Sequence, residues 1–157
     1  MTDIDHMKIA LEEARKADME NEVPVGAVVI YQNQILSQNH NRNIQLSDST
    51  AHAELLAIRE ACHKLNQNRL DGAIIYITKE PCTMCAGAMI LSHIERVVYG
   101  VNDVKSGAAG SVINLLNNLD LNHQIKITQG ILESECRHLL QSFFQKLRKK
   151  EDDILYQ

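Results

Sequence analysis

Two short clusters carry the most specific chemistry in this 157-residue chain, His52-Ala53-Glu54 and Pro81-Cys82-Thr83-Met84-Cys85. Cysteines three apart in the first turn of a helix point their sulfurs at one atom, and the positive helix end favours thiolate over thiol. Two thiolates and one imidazole make a zinc-ligand set, so His52, Cys82 and Cys85 are expected to hold Zn²⁺, one per chain. Ligand count sets the kind of site, because structural zinc fills four positions with protein and catalytic zinc leaves one for water. The remaining cysteines and histidines lie singly, and none presents itself as a fourth ligand. Glu54 stands two residues from His52, off its helical face, so the two converge only on something capping the helix end. Glu54 is then available to take a proton from water at the open position, a transfer that a charge-balanced ligand set favours. Hydroxide beside a carboxylic acid suits hydrolysis at an amidine-like ring carbon. The acid protonates first the ring nitrogen and then the departing ammonia.

Around these residues the chain reads as helices alternating with strands. Residues 3–20 place Met7, Ala10, Leu11, Ala14 and Ala17 at helical spacing, behind Thr2 or Asp3 as a cap. Residues 23–31 and 34–38 are β-rich and flank the polar pair Gln32-Asn33, the pattern of a hairpin. The polar stretch 39–49 reads as loop, and a second helix is expected over 51–65, started by Ser49 or Thr50. The apolar run 73–78 reads as a strand buried on both faces, Pro81 opens a third helix over 84–93, and 96–99 forms a strand ended by Gly100. After a glycine-bearing loop at 107–110, a short helix is expected over 112–116, a strand over 124–128 and a long helix over 132–150. No repeat or linker divides the chain, so a single domain over 1–157 is expected, its last few residues a tail. A hairpin followed by alternating strands and helices implies an α/β fold, a three-layer α-β-α sandwich around a mixed sheet of about five strands.

Composition excludes several classes. Hydrophobic residues at 45% and charged residues at 23% are ordinary globular values, and seven Gly with two Pro argue against a disordered or fibrous chain. A chain of this size buries roughly 70% of its unfolded surface without disulfide staples, so Cys62 and Cys136 read as core residues. Asp3, Asp5 and Lys8 interrupt the start, where a secretory signal needs an unbroken apolar stretch. The apolar runs 25–30 and 84–91 fall short of the ~18 residues of a membrane span. A cytoplasmic protein without a membrane partner is the expectation. A net charge of −4 lacks the overall basic signature of a nucleic-acid binder, so RNA would need a local basic face. Lys146, Arg148, Lys149 and Lys150 supply such a face, and equally suit the C-terminal end of a helix.

Taken singly, neither cluster decides the matter: H-x-E on a helix is usually a solvated face, and C-x-x-C in an α/β protein is metal-binding or redox-active. Together they match the zinc deaminase pattern, H-x-E followed by P-C-x-x-C. With Glu22-Val23-Pro24-Val25-Gly26-Ala27, Asn41-Arg42, Thr50-Ala51 and the stretches 80–89 and 103–111, the chain resembles the bacterial tRNA-specific adenosine deaminases of the cytidine deaminase-like superfamily. The resemblance implies the cytidine deaminase-like sandwich and a homodimer. It also implies zinc-dependent conversion of the wobble adenosine, adenosine-34 at the first anticodon position, to inosine on a tRNA anticodon stem-loop. It implies further that Asn41 hydrogen-bonds the target purine, Val25 walls its pocket and Ala53 donates its backbone N–H there. Asp103 and Lys105 would contact flanking nucleotides, with Arg148 among the cations that meet RNA phosphates. Asn43 follows Asn41-Arg42 where the family commonly has proline, and Gln145 follows Phe143-Phe144 where arginine is common. Two other readings share the motifs. One is a deaminase of free bases or nucleosides such as guanine or cytosine; the other is a zinc-stapled RNA-binding module, which needs a fourth protein ligand.

Overall fold

The computed structural model describes residues 1–155. Helix α1 (Asp3–Met19) opens with a capping box, in which the Thr2 hydroxyl accepts the Asp5 N–H and the Asp5 carboxylate accepts the Thr2 N–H. Its buried stripe, Met7, Ala10, Leu11, Ala14 and Ala17, is mostly alanine and so lets a strand come very near. That strand is β1 (Gly26–Tyr31), and a Cβ at Gly26 would lie 1.9 Å from the Ala10 carbonyl oxygen. Only glycine fits there. β1 turns into β2 (Gln34–His40) through Gln32 and Asn33, both at positive φ (50° and 61°), as a two-residue hairpin turn requires.

The sheet has the order β2-β1-β3-β4-β5, with β3 (Ile74–Lys79), β4 (Arg96–Val101) and β5 (Lys126–Gln129). β1 runs antiparallel to both β2 and β3, whereas β3, β4 and β5 are mutually parallel. Helices α2 (Ala53–Leu65) and α3 (Thr83–Leu91) cover one face, and α1 with α4 (Glu133–Leu155) cover the other. The strands show the period-two alternation that two covered faces demand. Ala27, Val29, Ile75, Ile77, Val97 and Tyr99 pack toward α2 and α3, while Val28, Ile30, Tyr76 and Val98 pack toward α1 and α4. The result is the expected three-layer sandwich around a mixed five-stranded sheet.

Several boundaries differ from the sequence reading, each for a local reason. Residues 112–116 form no helix; Gly110 N–H bonds Ile113 O (2.9 Å) and Leu115 N–H bonds Ala108 O (2.9 Å), a compact turn that drives Leu116 into the core. β4 does not stop at Gly100 but runs to Val101. Glycine is needed there because a Cβ would sit 2.4 Å from the Cys136 sulfur of α4. Helix α2 starts at Ala53 with His52 as its N-cap, and Thr50 is occupied instead with the Asp48 carboxylate. β1 begins at Gly26 rather than 23, and β2 reaches His40. Helix α4 carries the expected tail on to Leu155, and the last two residues lie outside the described residues. Cys136 is buried as expected, and Cys62 is partly so.

A buried acid ties α1 to the end of β2. Glu13, 3% exposed, accepts from Lys16 Nζ (2.6 Å) and Gln38 Nε2 (3.0 Å), and its second oxygen meets His40 Nδ1 at 2.8 Å. The other His40 nitrogen lies 2.9 Å from Glu20. Burial pushes the Glu13 carboxyl upward, but the bonds from Lys16 and His40 outweigh it and hold the group below the ordinary 4.5. The unfolded chain therefore takes up the proton first, so this contribution is present above 4.5 and is lost as pH falls through the lowered value. Glu13→Gln is expected to cost about 1–3 kcal/mol in urea unfolding at neutral pH, because it removes the buried charge that accepts from Lys16, Gln38 and His40 and turns an amide NH₂ toward one of these donors. The gap from the unaltered protein should close in acid; a gap independent of pH would contradict the assignment.

Candidate active site

The residues singled out for chemistry collect at one end of the sheet. There the carboxyl ends of the parallel strands β3 and β4 lie beside the start of the antiparallel β1 and the end of β2. Open α/β sheets bind ligands at such a change of direction, outside the carboxyl ends of the strands. The chain leaving β3 passes through Glu80 and Pro81 and delivers Cys82 as the N-cap of α3, with Cys85 three residues on. His52 is the N-cap of α2, in extended backbone (φ −75°, ψ 148°). N-cap side chains normally accept a backbone N–H of the helix they start. Neither His52 nor Cys82 does so, and both turn toward each other instead.

His52 Nδ1 lies 3.5 Å from the Cys82 sulfur and 3.6 Å from the Cys85 sulfur, and the three ligand atoms all lie within 4.8 Å of one another. Zinc bonds of about 2.3 Å to sulfur and 2.0–2.1 Å to nitrogen, at tetrahedral angles, place nitrogen and sulfur about 3.6 Å apart. The donor set therefore fits zinc in type and in spacing. Among the described residues no fourth His, Cys, Asp or Glu joins the group. The Cys82 thiol is driven well below its ordinary value by the Cys85 thiol and, after the opposing effect of burial, by His52. Cys85 is pushed up by the same contact with Cys82 and by burial, and His52 is raised by its bond to Cys82. The Cys82 sulfur is thereby biased toward thiolate, beside the N-termini of α2 and α3.

Glu54 occupies the first turn of α2 and is 3% exposed. Burial pushes its carboxyl up from the ordinary 4.5, the shift that suits a group alternating between acid and base near neutrality. His52, Glu54 and Cys82 open onto a cavity of about 220 Å³, walled by Val23, Val25 and Asn41. That is below the roughly 300–1,000 Å³ of drug-sized ligand sites and accommodates one base rather than a run of nucleotides.

Asn41, 8% exposed, accepts the Ala53 N–H through Oδ1 at 2.9 Å, so the two groups expected to meet the purine are bonded to each other here. The bond fixes the amide orientation and leaves the NH₂ as the donor of this cavity-lining side chain. Asp103 and Lys105 do not line that cavity. They lie in an adjoining one of about 380 Å³ that shares Lys79 and Ser106 with it. Arg148 lies farther out, in a groove of about 540 Å³ with Lys105, Arg137 and Phe144. The basic run is not at a helix end, since α4 continues through Glu151, Asp152 and Asp153 to Leu155, and Lys146 sits 3.6 Å from Asp18. Sequence reasoning missed Lys79, Glu80, Asn43 and Ser106 as lining residues. Glu80 was adjacent to the motif, and nothing in the spacing of Ser106 marked it.

Residues 1–148 match the MafB19-like deaminase family, so fold and site together define a deaminase domain. A tRNA-specific adenosine deaminase of Bacillus subtilis (strain 168) is 47% identical over 146 residues, 93% of this chain and 91% of that protein. One from Aquifex aeolicus (strain VF5) is 47% identical over 142 residues, 90% of this chain and 93% of that protein. A solved structure from work on A-to-I editing by tRNA:A34 deaminases at the wobble position matches with a TM-score of 0.84 at 42% identity, covering 87% of this chain and 99% of that one. A guanine deaminase of Nitrosomonas europaea matches with a TM-score of 0.77 at 25% identity, covering 89% and 83%. The chain belongs to the family of tRNA-specific adenosine deaminases.

Asn41→Asp keeps an acceptor for the Ala53 N–H but replaces the amide donor with an anionic oxygen. Metal content and melting temperature are expected to hold; if the amide NH₂ donates to a bound base, turnover should fall about tenfold or more. Unchanged turnover would remove Asn41 from base recognition.

Proposed function

We propose that this protein is a zinc-dependent hydrolytic deaminase that converts the wobble adenosine of tRNA, adenosine-34, to inosine. The observation that carries the reading is the tetrahedrally spaced His52, Cys82 and Cys85 set beside buried Glu54, at the mouth of a one-base cavity. The family relatives supply the substrate class.

His52 and the two cysteines would hold Zn²⁺, which when bound lowers the pKa of water enough to supply a nucleophile near neutral pH. The chain's own residues do the rest. Glu54 takes up the proton that water releases and gives it to the ring nitrogen next to C6 as the C6–O bond forms; it then takes the proton of the new C6 hydroxyl and passes it to the amine as the C6–N bond breaks, so that water and adenosine become ammonia and inosine. Its burial keeps bulk water from competing for these protons. Asn41 donates to the purine edge and Val25 packs against its face. The base reaches this cavity only by leaving its stack, and a splayed anticodon loop makes that cheaper than the few kcal/mol a duplex demands. Asp103 and Lys105 then face neighbouring nucleotides, and Arg148, with Lys105 and Arg137 in the outer groove, faces phosphates.

The reading includes a homodimer acting in the cytoplasm. What supports pairing is an unpartnered groove of about 660 Å³ between α2 and α3, lined in part by Ile58, Cys62, Ala88 and Leu91, the last 80% exposed. No helix among the described residues is long and apolar enough to cross a membrane.

The test is to incubate purified protein with tRNA and sequence the reverse-transcribed product. Adenosine read as guanosine at the first anticodon position is expected. Unaltered tRNA with ammonia released from free guanine would replace this reading with a free-base deaminase. Glu54→Gln should keep bound zinc and the folded state while kcat falls about 100-fold or more, the scale of general acid–base catalysis. His52→Ala should lose the metal. Zinc lost from the Glu54 variant would instead mark a structural site.

A further inference from the structure

We propose that Glu80 is a positioning residue for RNA: its buried carboxylate fixes the segment 103–111 to the turn that carries Cys82. It thereby sets where nucleotides flanking the target base sit relative to the pocket. The inference rests on the functional reading above and assigns a new role within it.

Glu80 is 1% exposed and directly precedes Pro81-Cys82. Four donors of one segment converge on its carboxylate. Oε1 accepts the Asp103 N–H at 3.0 Å and the Ser111 hydroxyl, while Oε2 accepts the N–H groups of Ala109 at 3.0 Å and Ser111 at 3.1 Å. The backbone adds a bond from Ala108 N–H to Pro81 O (2.8 Å). Gly107 completes the cradle, since a Cβ there would lie 2.3 Å from Glu80 Oε2 and 2.5 Å from Asp103 O. Segment 103–111 has no regular secondary structure of its own, so this acid stands in for the ladder that a strand or helix would supply.

The order passes outward from Glu80 to the surface that meets substrate. With its N–H pinned, Asp103 folds its side chain back to accept the N–H groups of Lys105 (3.0 Å) and Ser106 (3.2 Å) and the Ser106 hydroxyl (2.7 Å). It also pairs with Lys79 Nζ at 3.1 Å. Lys79 and Ser106 line both the base cavity and the adjoining one, and Asp103 and Lys105 line the latter. A single buried carboxylate thus holds the wall between the reacting base and its neighbours. Its contacts are to backbone and hydroxyl groups and not to the ligand set, so its loss should reach RNA binding before it reaches the metal.

Glu80→Gln preserves volume but aims an amide NH₂ at groups that are themselves donors. Against an anticodon stem-loop we expect full zinc content and a KM raised about tenfold, with most of the lost kcat/KM residing in KM, the signature of lost binding rather than lost chemistry. Amide hydrogen exchange should quicken in 103–111 and stay slow in α3 and β4. Ser111→Ala deletes one hydroxyl donor, keeps the fold, and should raise KM in the same direction by about threefold. An unaltered KM, loss of zinc, or exchange that quickens across the whole chain would overturn the proposal. The unaltered protein run on the same stem-loop separates the two claims. If it makes no inosine, the functional reading fails, and confined or global exchange in the variant still judges the role of Glu80.

Discussion

Everything in this structure depends on two helix N-termini being brought together at one end of a sheet, with their N-cap positions given to His52 and Cys82, two of the three side chains that could hold a metal there. A helix whose N-cap is Ser, Thr, Asp or Asn gains a bond for one of its free N–H groups. Here α2 and α3 forgo that bond, and His52 and Cys82 use the extended N-cap geometry to face across the gap. Cys-x-x-Cys spans the same N-cap to N3 interval as a capping box, which is why both sulfurs reach one point from a single turn. The positive ends of two helices then stabilise thiolate, and Glu54 in the first turn of α2 shares that field while burial works in the opposite direction. What fixes the meeting point is the switch of strand direction at β3, antiparallel to β1 on one side and parallel to β4 on the other.

Buried acids organise the loops around the cavity. Glu13 holds His40 at the end of β2, one residue before Asn41. Glu22, 1% exposed, accepts the Ile44 N–H with both carboxylate oxygens (2.7 and 3.2 Å) and so shapes the loop between β2 and α2. Glu80 does the same for the segment after β4. Glu13, Glu22, Glu54 and Glu80 are all buried. The formal net charge of −4 therefore overstates how acidic the outer surface is, since four carboxylates lie inside. An acidic composition and a groove bearing Lys105, Arg137 and Arg148 are compatible for that reason.

The clustering of His52, Cys82 and Cys85 was legible in the sequence, because residue type and helical position together restrict what such a set can do. The sequence carried the sandwich as well, through a hairpin, β-branched runs and an alanine-rich first helix. The details it hid are those set by distant contacts. Gly100 reads as a strand terminator, yet it is small so that Cys136 of α4 fits against it. Residues 112–116 look helical by composition, but bonds back to 107–110 hold them in a turn. Thr50 looks like a better cap than His52, but it bonds the Asp48 carboxylate, and His52 takes the N-cap facing cysteines thirty and more residues away. The bond from Ala53 N–H to Asn41 had no sequence signature at all.

Three protein ligands with one position left open give the bound metal a distinctive shell, which X-ray absorption at the zinc edge of the purified protein reads out. The expected spectrum shows two sulfurs at about 2.3 Å, one imidazole and one further light atom, with the same sulfur and imidazole count in Glu54→Gln. A third sulfur or a second imidazole would mean that the protein closes the fourth position itself, and would contradict a catalytic centre at this site.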